Sequence, residues 1–239
     1  MSITVIIPAR WASVRFPGKM LHPIMGMPLV HHVYERAISH PRIDQVIIAT
    51  DDQRIYDSAM VAGYRVEMSR AGHQSGTDRC AELAERIDSR YVINVQGDEP
   101  LLAHEHLDVI IAQLEAGASI ATLCTPIKPT HAMDPNCVKV VRNRAGKALY
   151  FSRAAIPYDR SAHDLQRYQH IGIYGFQRET LLALARLDQS PLELAEGLEQ
   201  LRWMDHGYEI HCGHTTIPAI GVDVPEDVAA VESILRENR

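Results

Sequence analysis

Short apolar runs alternate with stretches of helical period along the first half of the chain. Ile3 to Ile7, Gln45 to Ala49 and Tyr91 to Val95 are rich in Val and Ile, end at polar or turn residues, and have the length of strands. Between and after them apolar positions recur every three or four residues: Leu29, Val30, Val33 and Ala37; then Cys80, Leu83, Ala84 and Ile87; then Leu107, Ile110, Ile111 and Leu114. This βαβαβα order predicts an α/β fold with a mostly parallel sheet covered by helices, because parallel strands need crossovers that bury both faces of the sheet.

The pattern changes in the second half. Ser119 to Thr125, Cys137 to Arg142, Ala148 to Phe151 and Ile171 to Phe176 read as strands separated by turns, which predicts antiparallel additions. Leu192 to Asp205 has helical period, and Pro225 suits the first position of a final helix with Val228, Val231 and Leu235 on its apolar face. No repeat, low-complexity tract or long linker interrupts the 239 residues. One domain over residues 1–239 is therefore expected, with a smaller mixed or antiparallel lobe over 126–215.

Composition narrows the function classes. Hydrophobic residues make up 46% and charged residues 23%, which excludes disordered and fibrous chains. A net charge of -6 argues against general nucleic-acid binding, which needs a broad basic surface. No segment approaches the roughly 18 apolar residues of a membrane span, and no long apolar region precedes Arg10, so a cytoplasmic protein without a membrane partner is expected. Cys80, Cys124, Cys137 and Cys212 are scattered without a C-x-x-C pair and read as reduced, mostly buried thiols.

Charge is distributed unevenly against this acidic background. The first acid is Glu35, whereas Arg10, Arg15 and Lys19 crowd one segment after the first strand. Like charges repel, so such a loop implies an anionic ligand, with phosphate the leading candidate. Ligands of open parallel sheets bind beyond the carboxyl ends of the strands. Two more polar clusters fall at such ends: Asp51-Asp52, and Gln96-Gly97-Asp98-Glu99-Pro100. A basic loop facing a carboxylate able to hold Mg²⁺ suits nucleotide chemistry. The first loop has no G-x-G-x-x-G, and Gly18-Lys19 is followed by Met20 where a P-loop requires Ser or Thr.

Eight segments then carry a resemblance: I-P-A-R-W-A-S-V-R-F-P-G-K, A-T-D-D, H-Q-S-G-T-D-R, N-V-Q-G-D-E-P, A-L-Y-F-S-R-A-A-I-P, H-I-G-I-Y-G-F, L-E-Q-L-R and G-V-D-V-P-E-D. In order and spacing, from Ile3 to about Val231, the chain resembles the 3-deoxy-manno-octulosonate (Kdo) cytidylyltransferases, or CMP-Kdo synthetases. The resemblance implies a Rossmann-like nucleotidyltransferase sheet and the reaction of CTP with Kdo to give CMP-Kdo and pyrophosphate for lipopolysaccharide synthesis. It also implies a homodimer and Mg²⁺ held by Asp98 and Asp223. The alternatives are a cytidylyltransferase for 8-amino-Kdo or sialic acid, or a non-catalytic nucleotide-binding protein of this fold. G-D-E-P and H-Q-S-G-T-D-R favour Kdo over its amino analogue, and the presence of Lys19, Asp98 and Asp223 speaks against loss of catalysis.

Carried over position by position, Arg10, Ser13, Arg15 and Lys19 hold the triphosphate, with Lys19 stabilising transition-state charge. The Pro8-Ala9 backbone with Gln74, Ser75 and Gly76 reads cytosine, and Arg79, one turn on from Ser75, points at the same pocket or else begins a solvated helix with Asp78. Gln96, Arg153, His170, Tyr174, Glu196, Glu199 and Gln200 match the sugar side, with Arg153 assigned to the Kdo carboxylate. Glu196 and Glu199, one turn apart on a helix, are either sugar ligands or simply exposed. His31-His32 and His104-x-His106 take structural readings, without zinc. Trp11, Phe16 and Met20 depart from the family's usual Tyr, Leu and Pro, which affects the stiffness of the basic loop and leaves its cations in place. The stretch from Tyr158 to His170 is short, bearing on the sugar-site rim or a dimer contact.

Overall fold

The structure is a computed structural model that describes residues 2–13, 15–160 and 165–237. In chain order its strands and α-helices are β1 (Ile3–Ala9), β2 (Pro23–Ile24), β3 (Met27–Pro28), α1 (Leu29–Ile38), β4 (Gln45–Thr50), α2 (Gln53–Val61), β5 (Val66–Met68), α3 (Gly76–Ala84), β6 (Tyr91–Asn94) and α4 (His104–Glu115). They continue as β7 (Ile120–Pro126), β8 (Lys139–Arg142), β9 (Ala148–Ser152), β10 (Tyr168–Gln177), α5 (Arg178–Leu184), α6 (Pro191–Glu196), α7 (Gln200–Asp205), β11 (His211–His214) and α8 (Asp227–Glu237). The contacts divide the chain into two units, residues 1–107 with 219–239, and residues 108–218. The second begins earlier than the expected lobe at 126.

The first unit is the expected parallel sheet, in the order β6-β1-β4-β5. All seven residues of β1 are buried, as both-face coverage demands. Leu29, Val30 and Val33 of α1 are fully buried, and Val231 and Leu235 of α8 pack with Ile24, Leu29 and Val222. These are the faces that the sequence period marks. Helix α2 and strand β5 were not anticipated: β5 has only three residues, Val-Glu-Met, too few for alternation to register. Pro225 lies in the turn before α8 instead of at its first position, its carbonyl accepting from the Val228 N–H.

The second unit is mixed. β10 pairs antiparallel with β7 and β8, β8 with β9, while β11 joins β7 in parallel. The expected helix from Leu192 to Asp205 is two short ones. Gly197, at φ 61°, takes the left-handed conformation that ends α6 and turns the chain toward α7. Glu196 and Glu199 therefore do not share a helix face: the first ends α6 and the second precedes α7. The short stretch noted between Tyr158 and His170 includes residues 161–164, which lie outside the described residues.

Candidate active site

The basic loop leaves β1 and is held by a small set of contacts within itself. The Gly18 N–H donates to the Trp11 carbonyl (3.1 Å), and Ser13 Oγ accepts from the Phe16 N–H (3.3 Å). Gly18 sits at φ 72°, and a Cβ there would lie 2.8 Å from the Trp11 ring. The Trp11 ring also carries the Arg54 guanidinium, 3.4 Å from its centroid, within cation–π range. Trp11 thus clamps the loop at the positions where the departures from the usual pattern raised its stiffness as a question.

Lys19 is the centre of the charge arrangement. Although a lysine, it is only 6% exposed, and its Nζ donates to Asp98 Oδ2 (2.5 Å), the Val222 carbonyl (2.9 Å) and Asp223 Oδ1 (3.4 Å). Arg15 reaches the same Asp223 Oδ1 at 3.0 Å, from an exposed position. Carboxylates some 125 residues apart in sequence thereby meet on one ammonium. The Val222 N–H donates to the Asp98 carbonyl (2.9 Å), which fixes the two acidic segments side by side. Next to them, burial and the Asp98 and Asp223 charges push the Glu99 carboxyl up to about 8, against the pull of Lys19. Glu99 enters the sequence reading within G-D-E-P, as a mark of Kdo over its amino analogue, and has no place among the site residues named there.

Arg15, Lys19, Asp98 and Asp223 line a cavity of about 590 Å³. Around it lie Pro8, Ala9, Arg10, Ser13, Arg15 and Lys19 from the first loop, Gln74, Ser75, Gly76 and Arg79 from the start of α3, Gln96 and Asp98 after β6, and Asp223 before α8. All of the positions assigned above to nucleotide and metal are among its lining residues. His73, to which no role was given, also lines it. Ser75 caps α3: its Oγ accepts from the Asp78 N–H (3.0 Å) while the Asp78 carboxylate accepts from the Ser75 N–H (3.1 Å). Arg79 does not begin a solvated helix. It is 4% exposed, donates to Ser69 Oγ, and pairs with Asp51 Oδ2 at 2.9 Å.

The sugar-side assignments, Gln96 excepted, lie in the second unit. Arg153 donates to the carbonyls of Glu196 (2.7 Å) and Pro135 (2.9 Å), and the Glu196 carboxylate accepts from Ser152 Oγ (2.5 Å) and the Arg153 N–H (2.8 Å). His170 Nε2 bonds Thr122 Oγ1 (2.9 Å), its ring lies 5.3 Å from that of Tyr174, and burial lowers its pKa to about 3, so it is neutral. Tyr174 packs edge-on against Trp203, and its buried hydroxyl has no hydrogen-bond partner among the described residues. Gln200 is buried at the start of α7. His31 is buried with its Nε2 near Ser58 Oγ (3.3 Å), and His32 Nε2 meets the Ile24 carbonyl (2.8 Å). His106 Nδ1 accepts from the Ala103 N–H (3.3 Å), and His104 Nε2 meets Ser39 Oγ (2.9 Å).

A cytidylyltransferase family model matches residues 4–210. The chain belongs to that family. It is 49% identical to a 3-deoxy-manno-octulosonate cytidylyltransferase of Geobacter metallireducens (strain ATCC 53774 / DSM 7210 / GS-15), over 97% of this chain and 96% of the relative. It is 46% identical to the same-named protein of Syntrophotalea carbinolica (strain DSM 2380 / NBRC 103641 / GraBd1), over 99% of both. A solved structure of CMP:2-keto-3-deoxy-manno-octonic acid synthetase complexed with CTP matches with a TM-score of 0.96 at 37% identity, over the full length of both chains. The mixed α/β fold is thus that of a nucleotidyltransferase, and the cytidylyltransferase reading of the cavity rests on family membership as well as on its chemistry.

Proposed function

We propose that this protein transfers the cytidylyl group of CTP to Kdo, releasing pyrophosphate and forming CMP-Kdo for lipopolysaccharide synthesis. The observation that carries the reading is the meeting of Asp98 and Asp223 on the buried Lys19 ammonium, inside a cavity rimmed by Arg10 and Arg15. Both reactants are anions, and the reaction needs their charge balanced at one place. Arg10 and Arg15, exposed and able to bind two oxygens each, receive the triphosphate. Lys19, a compact charge, neutralises the oxygens on which negative charge grows. The anomeric oxygen of Kdo bonds to the α-phosphorus, the bond from that phosphorus to the bridging oxygen breaks, and pyrophosphate leaves. The hydroxyl proton passes to solvent.

The residues fit a magnesium ion. Asp98 and Asp223 offer two hard oxygen donors on one cation, and burial first, with the Asp98 and Asp223 charges adding to it, disfavours ionisation of the neighbouring Glu99. Magnesium is commonly held by one or two carboxylates together with substrate phosphates. When bound it supplies Lewis-acid charge at the phosphates and lowers the pKa of the attacking hydroxyl. At the base end the reading gives the pyrimidine edge to the start of α3 and to the Pro8-Ala9 backbone, which line the same cavity. On the second unit the reading gives sugar-binding roles to Arg153, His170, Tyr174, Glu196, Glu199 and Gln200, and on the first unit it gives one to Gln96. The unpartnered Tyr174 hydroxyl supports it, since a buried donor without a partner costs about 1–3 kcal/mol unless a ligand satisfies it.

The protein is also read as a cytoplasmic homodimer. Its four thiols are free, in keeping with a reducing compartment. Exposed Leu149, Leu192 and Leu194 of the second unit support self-association, which sedimentation checks directly. Among the described residues no helix is long and apolar enough to cross a membrane. The activity is tested by pyrophosphate release from CTP with Kdo, 8-amino-Kdo and sialic acid offered in turn. Turnover with Kdo that stops on chelation of Mg²⁺ is expected. Preference for either other sugar, or equal rates with UTP and CTP, overturns the assignment.

A further inference from the structure

The segment from Ser69 to Ser75 joins β5 to α3 and brings His73 and Gln74 to the cavity. Two side chains of α3, three residues apart and so on one face, hold it in place. Arg79 takes Ser69 Oγ. Glu82 does the rest: its Oε2 accepts the Arg70 N–H (3.0 Å) and His73 Nε2 (2.6 Å), and lies 3.4 Å from Arg70 Nε. Its Oε1 accepts from Arg86. The Glu82 side chain is 3% exposed, a carboxylate removed from water and committed to four donors. It is not among the residues lining the cavity.

That placement is expensive unless it has a structural return, because a buried carboxylate loses its hydration. What it secures is the position of His73. An ionised carboxylate only accepts, so Nε2 carries the hydrogen, and Nδ1 is left as the ring's other polar atom. With the Arg70 backbone on the same oxygen, the loop is fixed at two points three residues apart. We propose that Glu82 is a positioning residue for the nucleotide, holding His73 and the Arg70 backbone so that Gln74, Ser75 and Gly76 meet the base in a fixed geometry. The inference rests on the assignment of those three residues to the base end.

A kinetic split tests it. Glu82→Gln keeps the shape and one acceptor but loses the charge; it is expected to raise KM for CTP about tenfold, leaving kcat and KM for Kdo within twofold of wild type, the scale of losing one charge-assisted contact. Glu82→Asp, which restores the charge on a shorter stem, should recover part of the loss. His73→Ala should raise KM for CTP similarly, and the Glu82→Gln/His73→Ala double variant should add little to either. A folded Glu82→Gln enzyme with wild-type KM for CTP overturns the proposal, as do parallel changes in both KM values, which mark a general loosening. Gly76→Val, whose Cβ would lie 3.1 Å from Pro8 Cγ, separates the two layers. Unchanged KM for CTP in that variant overturns the base-end assignment and this inference with it; a raised KM there beside a normal Glu82→Gln enzyme overturns the inference alone.

Discussion

Replacing Lys19 by Met keeps the stem and deletes the ammonium, leaving Asp98 and Asp223 facing each other without their shared partner. Truncating one member of a fully buried ion pair costs about 3–5 kcal/mol. Here the lysine side chain is 8% exposed, but Asp98 is 25% and Asp223 54% exposed. Water screens both acids, the second most, so the loss falls below that range, at about 2 kcal/mol. For a chain of this length that is a fall in Tm of roughly 4–8 °C. Calorimetry without divalent ions reads it directly. Millimolar Mg²⁺ should then raise the Tm of Lys19→Met more than that of the wild type, because the ion no longer competes with an ammonium for the two carboxylates. In the pyrophosphate assay kcat should fall about 10²- to 10³-fold, the scale of losing one preorganised charge in the transition state. An unchanged Tm together with a kcat within a few-fold of wild type would refute the placement of Lys19 at the centre of the site.

Three further outcomes follow from individual contacts. Burial pushes the Glu82 carboxyl up, but hydrogen bonds from His73 and Arg70 with the Arg86 charge outweigh it and hold it at about 2, so its stabilising contribution is complete above about 4.5 and is lost as pH falls toward 2; Glu82→Gln should flatten that part of a stability–pH curve measured by denaturant titration. Gly18→Ala puts a Cβ against Trp11 at a positive φ and should cost about 1–2 kcal/mol while raising KM for CTP, and an unaltered denaturation midpoint would contradict the clamp. Tyr174→Phe removes a buried hydroxyl without a partner, so Tm should hold or rise while KM for Kdo increases; a lower Tm with normal KM would assign the hydroxyl to folding instead.

What was legible in the chain followed from how strongly each element announces itself. β1 reads clearly because all of its residues are buried and apolar neighbours have nowhere else to go. β11, with the sequence His-Cys-Gly-His, is a strand because β7 offers it a parallel edge, and no local pattern says so. The split between α6 and α7 turns on Gly197, which interrupts a period that otherwise runs on. The basic loop stood out because its charges contradict the acidic balance of the chain, and Asp223 was reached only through a resemblance, since nothing local ties it to Lys19 some 200 residues earlier. Glu82 was invisible for a different reason: in Ala-Glu-Leu-Ala-Glu-Arg it looks like any surface glutamate, and only the return of the preceding loop over α3 turns it inward. Where a partner is distant in sequence, hydrophobic period carries no information about it.

The most direct test is metal-dependent pyrophosphate release from CTP and Kdo by Asp98→Asn and Asp223→Asn, each compared with wild type across a Mg²⁺ titration. Both substitutions keep size and hydrogen bonding and remove a single charge from the pair that meets Lys19. Turnover should drop at least about a hundredfold in each, with folding retained and the Mg²⁺ needed for half-maximal rate displaced upward. Near-normal rate at the wild-type Mg²⁺ requirement in either variant would contradict the account.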